Sequence, residues 1–272
     1  MDLIDGDVDP RGRRAIKQLK LDGCCSVVMY KRETGSTNSL ALDYLRSGKR
    51  SEGDAAALFL ADHQTEGRGR HGRRWESMED TLTFSLVLTS CDLTSLVGQL
   101  TGLAVGVAVA NAIEFELAPL KTRLKWPNDV YVDGGKAAGI LLETVAGIPR
   151  AVVVGVWINV GSRPDLQDDP NASAVRDLSS CTGRKLHRYD LLSSVVEQIV
   201  DTIANLEANI EELLAGFRQR CLLNQQKVTF LIGATSGQGL CRGIGPHGEL
   251  LIETDEGLER LTSGEAHRVR IR

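Results

Sequence analysis

Short apolar segments bounded by turn-forming residues recur through the first 160 residues of the chain. Most of them are rich in Val, Ile, Leu, Thr and Phe, and such runs favour strands. The predicted strands are residues 27–30, 55–61, 81–88 and 151–160. In residues 123–143, one strand is predicted to end at Pro127 and another to start at Val130, and a hairpin turn at residues 133–135 leads into residues 136–143. Elsewhere apolar residues repeat at intervals of three and four positions, a spacing that predicts helices over residues 39–45, 94–117 and about 189–217.

The pattern changes after Gln226, where short apolar stretches alternate with glycine turns. Strands are predicted there over residues 228–232, 240–244, 249–253, 258–261 and 269–271. So many short strands predict a small β-barrel, joined to the rest of the chain near Leu223. We therefore predict an α+β protein with a mixed β-sheet flanked by helices, followed by the barrel. The predicted domains are residues 23–223 and 224–272, after an irregular lead-in over residues 1–22.

The composition is ordinary for a globular protein, since 42% of the 272 residues are hydrophobic and 25% are charged. The net charge of −4 gives no overall attraction to nucleic acids or anionic membranes. The N-terminus, with Asp2, Asp5, Asp7 and Asp9, has no apolar signal-peptide core, and no apolar run approaches the length of a membrane span. The six cysteines include no Cys-x-x-Cys pair and are expected to be reduced thiols. These features predict a cytoplasmic protein without DNA or membrane partners.

One stretch differs from this acidic background. Residues 64–75 read Gln-Thr-Glu-Gly-Arg-Gly-Arg-His-Gly-Arg-Arg-Trp. Arginine offers forked, permanently charged donors that suit carboxylate and phosphate oxygens, and glycine lets the backbone come close to a ligand. The spacing Gly67-x-Gly69-x-x-Gly72 matches the dinucleotide-binding fingerprint, but the apolar helix that the fingerprint requires does not follow. We therefore predict a mobile, anion-binding arginine loop.

A second polar group lies at residues 128–136. Asn128 and Asp129 stand at a predicted strand break, and Lys136 follows across a two-glycine hairpin. Amide, carboxylate and ammonium groups would therefore meet near one point. A carboxylate beside phosphate-binding cations is what a Mg²⁺ site requires.

Two further polar positions have both a structural and a ligand-binding explanation. Ser36, Thr37 and Asn38 precede a predicted helix and could simply cap it. They would also point hydroxyl and N–H groups at whatever lies in front of that helix. Asn159 ends an apolar strand, either as a turn residue or as a ligand contact. On the residues alone, both alternatives stay open.

In combination, these segments resemble the biotin protein ligases, the enzymes that attach biotin to acceptor carboxylases. The matching segments occur in the family's order, and the resemblance extends over about residues 25–272. The arginine loop together with Lys-Trp-Pro-Asn-Asp is highly specific. The matching segments are 36–38, Gln64 with 67–75, 125–129 (Lys-Trp-Pro-Asn-Asp), 136–140 (Lys-Ala-Ala-Gly-Ile) with Glu143, and 158–160 (Ile-Asn-Val).

The resemblance implies a class II synthetase-like catalytic domain followed by an SH3-like β-barrel. It implies ATP-dependent activation of biotin to biotinyl-5′-AMP with release of pyrophosphate, with Mg²⁺ as the metal. Biotin is then transferred to a lysine of a biotin carboxyl carrier protein. Regulatory members carry an N-terminal DNA-binding domain for which this chain has no room. The expected form is therefore ligase-only, as a monomer or homodimer.

The resemblance also assigns roles to individual residues. The expected catalytic residues are Arg68, Arg70 and Lys136. They would bring together the carboxylate of biotin and the α-phosphate of ATP. The expected biotin contacts are Ser36, Thr37, Asn38, Gln64, Arg68, Gly69, Arg70, Lys136 and Gly139. The expected ATP contacts are Arg70, Arg73, Trp75, Asn128, Asp129, Lys136 and Asn159, with Asp129 also as the Mg²⁺ ligand.

One position departs from the family pattern. Members usually read Gly-x-Gly-Ile-Asn where this chain reads Gly155-Val-Trp157-Ile-Asn159. At position 157 the side chain is therefore an indole instead of a hydrogen atom, in a strand that is expected to line the ligand site.

Two other functions fit part of the pattern. A lipoate ligase of related fold would apply the same adenylation chemistry to a different carboxylic acid, although the arginine loop with Lys-Trp-Pro-Asn-Asp favours biotin. A non-catalytic nucleic-acid-binding or regulatory module would use the arginine loop and the barrel. The acidic net charge and the aromatic content of 4% argue against this module.

Overall fold

The computed structural model describes residues 3–5, 7–49, 55–73, 75–89, 91–164, 174–232, 235–262 and 265–268. A mixed sheet of eight strands lies at the centre of these residues, in the spatial order β1-β2-β3-β4-β8-β7-β6-β5. In chain order the strands are β1 (Leu3–Asp5), β2 (Cys25–Thr34), β3 (Ala56–Gln64), β4 (Thr81–Thr89), β5 (Arg123–Lys125), β6 (Asp129–Val132), β7 (Gly135–Val145) and β8 (Ile148–Asn159). Strands β1, β2 and β3 run parallel, and the other neighbouring pairs are antiparallel.

Helices cover both faces of this sheet. They are α1 (Pro10–Leu21), α2 (Thr37–Arg46), α3 (Leu96–Gln99), α4 (Thr101–Glu116), α5 (Leu178–Thr182), α6 (Leu192–Ala204) and α7 (Ile210–Arg220). Helix α4, rich in alanine, glycine and valine, is buried along most of its length and packs against α6 in the main core. Helix α2 lies on the opposite face, where a smaller apolar cluster holds it against β3, β4 and β8.

The C-terminal residues form a separate antiparallel sheet, which in the described ranges has five strands in the order β12-β11-β10-β9-β13. These strands are β9 (Lys227–Ile232), β10 (Thr235–Ile244), β11 (Leu250–Thr254), β12 (Gly257–Leu261) and β13 (Glu265–Arg268). The predicted fold class, a mixed sheet flanked by helices and followed by a small β-domain, is confirmed.

The turn between β10 and β11 docks the small sheet on the larger domain. Trp126 Nε1 donates to the carbonyl oxygen of Gly248 at 3.0 Å, in a buried position. Gly248 has a φ of +80°, and a Cβ there would lie 2.5 Å from Leu103 and 2.6 Å from Leu100 of the α4 region. Glycine therefore permits both the turn conformation and the close approach.

The prediction of an irregular lead-in over residues 1–22 is wrong, because this region contains β1 and α1. The side chain of Asp9 accepts from Arg11 N at 2.8 Å at the start of α1, and Pro10 occupies its first turn. Both are helix-start signals. The many charged residues of this region obscured the buried stripe that ends in Ile16 and Leu19.

The single helix predicted over about residues 189–217 is also wrong. A short 3₁₀ turn precedes α6, and α6 is separated from α7 by residues 205–209. Asn205 and Asn209 stand at the two ends of this break, and asparagine favours helix ends over helix interiors. The strand predicted at 269–271 lies outside the described residues, and the domain boundaries near residues 22 and 223 stay predictions.

No helix within the described ranges combines the length and the apolar character that crossing a membrane would require.

Candidate active site

A row of polar residues interrupts the apolar character of β4. Thr81, Thr83 and Ser85 have no exposed surface, and they alternate with leucine and phenylalanine side chains of the main core. Because successive strand residues point to opposite faces, these three residues lie on the α2 face of the sheet. The same face of β8 carries Gly155 and Asn159. Polar groups are thus gathered where α2 begins.

The N-terminus of α2 meets this row through a buried hydrogen-bond network. Ser85 Oγ lies 2.7 Å from Thr37 Oγ1 and 2.5 Å from Asn38 Oδ1. Thr37 N donates to Gln64 Oε1 at 2.7 Å. A Cβ at Gly155 would collide with the Asn38 amide, so glycine lets α2 come this close to β8. The structure therefore brings together three of the predicted biotin contacts.

Two polar atoms of this cluster remain unpaired. Ser36 occupies the N-cap position of α2, yet its side chain makes no capping hydrogen bond. Ser36 Oγ and Gln64 Nε2 are buried and have no hydrogen-bond partner within the described part of the chain. A buried polar group without a partner is costly. Helix capping therefore does not explain Ser36, and the described chain leaves the hydrogen-bonding capacity of both atoms unused.

Glu143 of β7 connects this cluster to the arginine loop. Asn38 Nδ2 donates to Glu143 Oε2 at 2.6 Å, and Arg68 Nη2 lies 3.4 Å from the same oxygen. Arg68 also donates through Nη1 to Ser39 Oγ at 3.0 Å. The Arg68 side chain is 45% exposed, and ion pairs at such sites stabilise little. A ligand carboxylate could therefore replace Glu143 beside Arg68 at small cost.

The arginine loop folds back on itself. Trp75 N donates to the Gly67 carbonyl at 2.9 Å, and Gly69 N donates to the Arg73 carbonyl at 2.7 Å. A 3₁₀ turn at Arg70–Gly72 forms its tip. A Cβ at Gly67 would collide with the carbonyl oxygen of Trp75. The two strands of the loop can approach only because this position is glycine.

A cleft of about 690 Å³ lies beside this loop. One wall is the loop itself, including Arg68, Arg70 and Arg73, and the other is formed by Leu141 and Glu143 of β7. Cations thus face a strand that also carries a carboxylate. The cleft is suited to an anionic ligand that enters between the loop and the sheet.

Lys136, at the start of β7, forms the second cationic position. Its Nζ lies 2.6 Å from Asp129 Oδ1 and 5.3 Å from the centre of the Trp75 ring, a distance at which a cation and an aromatic face attract. A Cβ at Gly139 would lie 3.1 Å from both Cε and Nζ of Lys136, so glycine makes room for this side chain. Of the predicted grouping of Asn128, Asp129 and Lys136, the carboxylate and the ammonium group are thus in contact.

The backbone of Lys136 is fixed by a chain segment from outside the sheet. Lys136 N donates to the Ala174 carbonyl at 2.7 Å, and Arg176 N donates to the Lys136 carbonyl at 3.0 Å. Asn159 Nδ2 donates to the carbonyl of the same Arg176 at 3.3 Å, whereas Asn159 Oδ1 is buried without a partner in the described residues. Asn159 therefore has both a structural contact and an acceptor open to a ligand.

Asn128 has a structural partner. Its Nδ2 donates to the Ile140 carbonyl at 2.6 Å, and Ile140 N donates to the Asn128 carbonyl at 3.0 Å. These bonds fasten the strand break before β6 to β7. The amide nitrogen of Asn128 is thus engaged in the fold, and its predicted contact with ATP stays a prediction.

Two indole rings lie between the polar cluster and Lys136. The ring centres of Trp75 and Trp157 are 5.7 Å apart, with the planes inclined at 34°. Trp157 lies opposite Thr83 of β4 and Gly139 of β7 in the strand register. The indole of Trp157, the residue that departs from the family pattern, is therefore directed to the face that carries the predicted ligand contacts.

Sequence reasoning assigned no role to Ser39, Ser85 or Glu143, which the structure places within the site. Ser85 had a detectable signal, because threonine and serine at alternate positions of an apolar strand mark one polar face. Glu143 stood within a matching segment, but its contacts with Asn38 and Arg68 depend on the pairing of distant strands and had no local signal.

Comparison with known proteins agrees with this geometry. Residues 31–161 match the model of the biotin/lipoate A/B protein ligase family. The biotin–[acetyl-CoA-carboxylase] ligase of Mycobacterium tuberculosis is 31% identical over 242 residues, which cover 88% of this chain and 87% of that protein. The bifunctional ligase/repressor BirA of Bacillus subtilis is 34% identical over 215 residues, covering 76% of this chain and 65% of that protein.

A solved structure gives the same result at the level of the fold. The biotin protein ligase from Aquifex aeolicus, in complex with biotin and ATP, matches with a TM-score of 0.75 and 29% identity. The match covers 89% of this chain and 99% of that chain. The polar cluster, the arginine loop and Lys136 all lie within or beside the matched family segment. The chain belongs to the biotin protein ligases of the biotin/lipoate A/B protein ligase family.

Proposed function

We propose that this protein is an ATP-dependent biotin protein ligase. In the first step a biotin carboxylate oxygen attacks the α-phosphorus of ATP, and pyrophosphate leaves to give biotinyl-5′-AMP. In the second step the neutral amine of an acceptor lysine attacks the acyl carbon, AMP leaves, and the new amide releases a proton. The observation that carries this proposal is the placement of the polar cluster, Arg68 and Lys136 on one face of β7 and β8.

The polar cluster would bind the ureido head of biotin. Ser36 Oγ and Gln64 Nε2 are buried and without a partner in the described chain, so they can accept and donate hydrogen bonds to a ligand. Thr37 and Asn38 line the same place. A buried polar group that makes no hydrogen bond costs free energy. A head group that supplies matching donors and acceptors would therefore bind there in preference to water.

Arg68, Arg70 and Lys136 would bring the two reacting anions together. A carboxylate and a triphosphate repel each other until positive charge lies between them, and both steps depend on positioning and charge neutralisation. Arg68 and Lys136 are each paired with a carboxylate of the chain itself. Ligand anions would exchange with these partly exposed partners, and Gly69 and Gly139 would let the backbone approach.

Nucleotide contacts are proposed for the far side of the cleft. Arg73 would bind the pyrophosphate, Trp75 the base, and Asn128 and Asn159 other parts of ATP. Asp129 would be the protein ligand of Mg²⁺. Among the described residues no three His, Cys, Asp or Glu side chains lie close enough to hold a metal ion by themselves. Asp129 fits Mg²⁺ bound jointly with phosphate oxygens and water, which is its usual mode in nucleotide sites.

The acceptor would be a lysine of a biotin carboxyl carrier protein or domain. This proposal is supported by the similarity of the chain to biotin–[acetyl-CoA-carboxylase] ligases, among them that of Mycobacterium tuberculosis. A cytoplasmic location, a monomeric or homodimeric state and the lack of DNA binding are proposed with it.

The test is biotin-dependent exchange of labelled pyrophosphate into ATP. We expect exchange with biotin and none with lipoate, whereas exchange with lipoate alone would identify a lipoate ligase. If neither acid supports exchange and RNA binds with a steep salt dependence, the protein is a nucleic-acid-binding module.

Lys136→Ala provides a sharper test of the same site. We expect the exchange rate to fall by about a hundredfold or more, since a positioned cation in a transition state contributes at this scale. The exchange rate should fall far more than stability does, although the variant also removes the partner of Asp129 from a pair whose side chains are only 23% and 18% exposed. Lys121→Ala, which removes an exposed lysine, is the control and should retain wild-type exchange. A large loss of stability with normal exchange would assign Lys136 a structural role only.

A further inference from the structure

Trp157 is a buried aromatic residue that belongs to neither apolar core. Only 2% of its surface is exposed, yet it is part neither of the main core nor of the cluster beneath α2. Its ring lies instead on the polar face of β8, with the ring centre 5.7 Å from that of Trp75. Trp157 is therefore buried on the face of the sheet that carries the polar cluster, outside both apolar clusters.

The strand register places Trp157 midway along the site. Gly155, two residues earlier, lies against the Asn38 amide of the polar cluster. Gly139, opposite Trp157 on β7, lies against Lys136. Same-face neighbours along a strand are about 6.8 Å apart. A carboxylic acid whose head occupies the polar cluster and whose carboxylate reaches Lys136 must therefore pass Trp157.

The indole N–H of Trp157 supplies an independent observation. Nε1 is buried and has no hydrogen-bond partner within the described part of the chain, and the same holds for Thr83 Oγ1 opposite it. Trp126, a tryptophan of the main core, instead donates to the Gly248 carbonyl at 3.0 Å. Buried indole N–H groups usually find a partner. The buried donor at Trp157 thus lacks an acceptor in the described chain, and a ligand oxygen could supply one.

We propose that Trp157 is a ligand-binding residue that determines specificity for the acid. Its ring forms the wall against which the aliphatic segment between head and carboxylate packs, and its N–H donates to an oxygen of the bound acyl group. The favoured substrates are carboxylic acids with a compact hydrogen-bonding head and a short aliphatic segment. This inference rests on the proposed function and adds a residue to it.

The test compares Trp157→Phe and Trp157→Gly in the exchange assay. Trp157→Phe keeps a wall but removes the donor, so we expect KM for biotin to rise a few-fold with kcat unchanged. Trp157→Gly removes both, and KM should rise about tenfold or more. In Trp157→Gly the ratio of lipoate-dependent to biotin-dependent exchange should also rise, because loss of the indole widens the space for the acid. A lower KM for biotin in Trp157→Gly, or an unchanged KM in both variants, would overturn the proposal.

Tryptophan fluorescence provides a readout that does not depend on turnover. Biotin should change the emission of the wild type and of Trp126→Phe, while Trp157→Phe should lose most of the change. Trp126→Phe is the matched control, since it also removes one buried indole and should keep KM for biotin. If Trp157→Gly does not fold, Trp157→Phe and this spectrum decide the question. If the wild type shows no biotin-dependent exchange, both proposals are overturned. If the wild type shows exchange but neither Trp157 variant changes the KM for biotin, only the proposal for Trp157 is overturned.

Discussion

At the scale of single residues, Glu143 is the side chain whose contacts join the two halves of the site. It accepts from Asn38 and faces Arg68. In Glu143→Gln, glutamine still offers an acceptor to Asn38 but no longer competes with a ligand anion for Arg68. We expect biotin to bind up to about fivefold more tightly, since an exposed ion pair contributes less than about 1 kcal/mol. Isothermal titration calorimetry measures this change.

Glu143→Ala is the matched variant, because it removes the acceptor as well as the charge. Asn38 Nδ2 then loses its 2.6 Å partner, and we expect biotin affinity to fall by about fivefold or more. Equal losses in both variants would mean that Glu143 holds Arg68 in place and does not compete with the ligand.

Residue identities predicted part of the site. Ser36 to Asn38, Gln64 and the arginine loop were recognised because each segment has an unusual local composition. Ser85 and Glu143 were missed because their partners lie on strands that are distant in sequence. Such contacts follow from strand register, which no single segment specifies.

At the scale of elements, an ion pair fastens α4 to α7. Arg220 Nη2 lies 3.0 Å from Glu114 Oε2, and Thr122 Oγ1 donates to Glu114 Oε1 at 2.6 Å. Burial raises the pKa of Glu114, but the bonds from Arg220 and Thr122 outweigh burial and lower the pKa from 4.5 to about 2. The Glu114 side chain is only 17% exposed, so this difference contributes about 3 kcal/mol to stability at neutral pH.

The pH dependence follows from the lowered pKa. The contribution is complete above about pH 4.5 and is lost as the pH falls towards about 2, where folded and unfolded carboxylates are both protonated. Glu114→Gln should therefore be less stable than wild type at pH 7, and the gap should narrow in acid. Urea unfolding at several pH values measures the gap. A gap that stays constant with pH would exclude this account.

Element boundaries were harder to predict than the elements themselves. Strands β3, β4 and β8 were found because their apolar runs are long and bounded by turns. The break between α6 and α7 was missed because Leu206 continues the helical spacing of apolar residues. Leu206 is indeed buried, but it lies in a segment that is not helical.

At the scale of the whole molecule, the β10–β11 turn holds the small sheet on α4. Gly248→Ala would push a methyl group against Leu103 and Leu100 and weaken the bond from Trp126. Gly147→Ala is the control, since Gly147 has a similar φ of +82° with nothing within 4 Å of an added Cβ. We expect Gly248→Ala to lower the free energy of unfolding by about 1–3 kcal/mol more than Gly147→Ala. Equal losses in urea unfolding would show that backbone strain alone matters.

The fold of the whole molecule was predicted in outline. Apolar runs typical of strands, together with apolar residues spaced three and four positions apart as in helices, predicted a mixed sheet with helices. Short apolar stretches between glycine turns predicted the later all-β segment. The order of the strands could not be read from these patterns, because β8 lies beside β4 although three other strands, β5 to β7, and the helices α3 and α4 lie between them in the chain.

The two pairings that close the arginine loop have a consequence for its tolerance of length changes. Gly67 with Trp75 and Gly69 with Arg73 fix the stems of the loop, while residues 70–72 only form its tip. Extra residues at the tip would extend its reach without displacing Arg68 or Trp75. Extra residues between Gln64 and Gly67 would move both relative to Lys136. Natural relatives should therefore differ in the number of residues at the tip and keep the number in the stems.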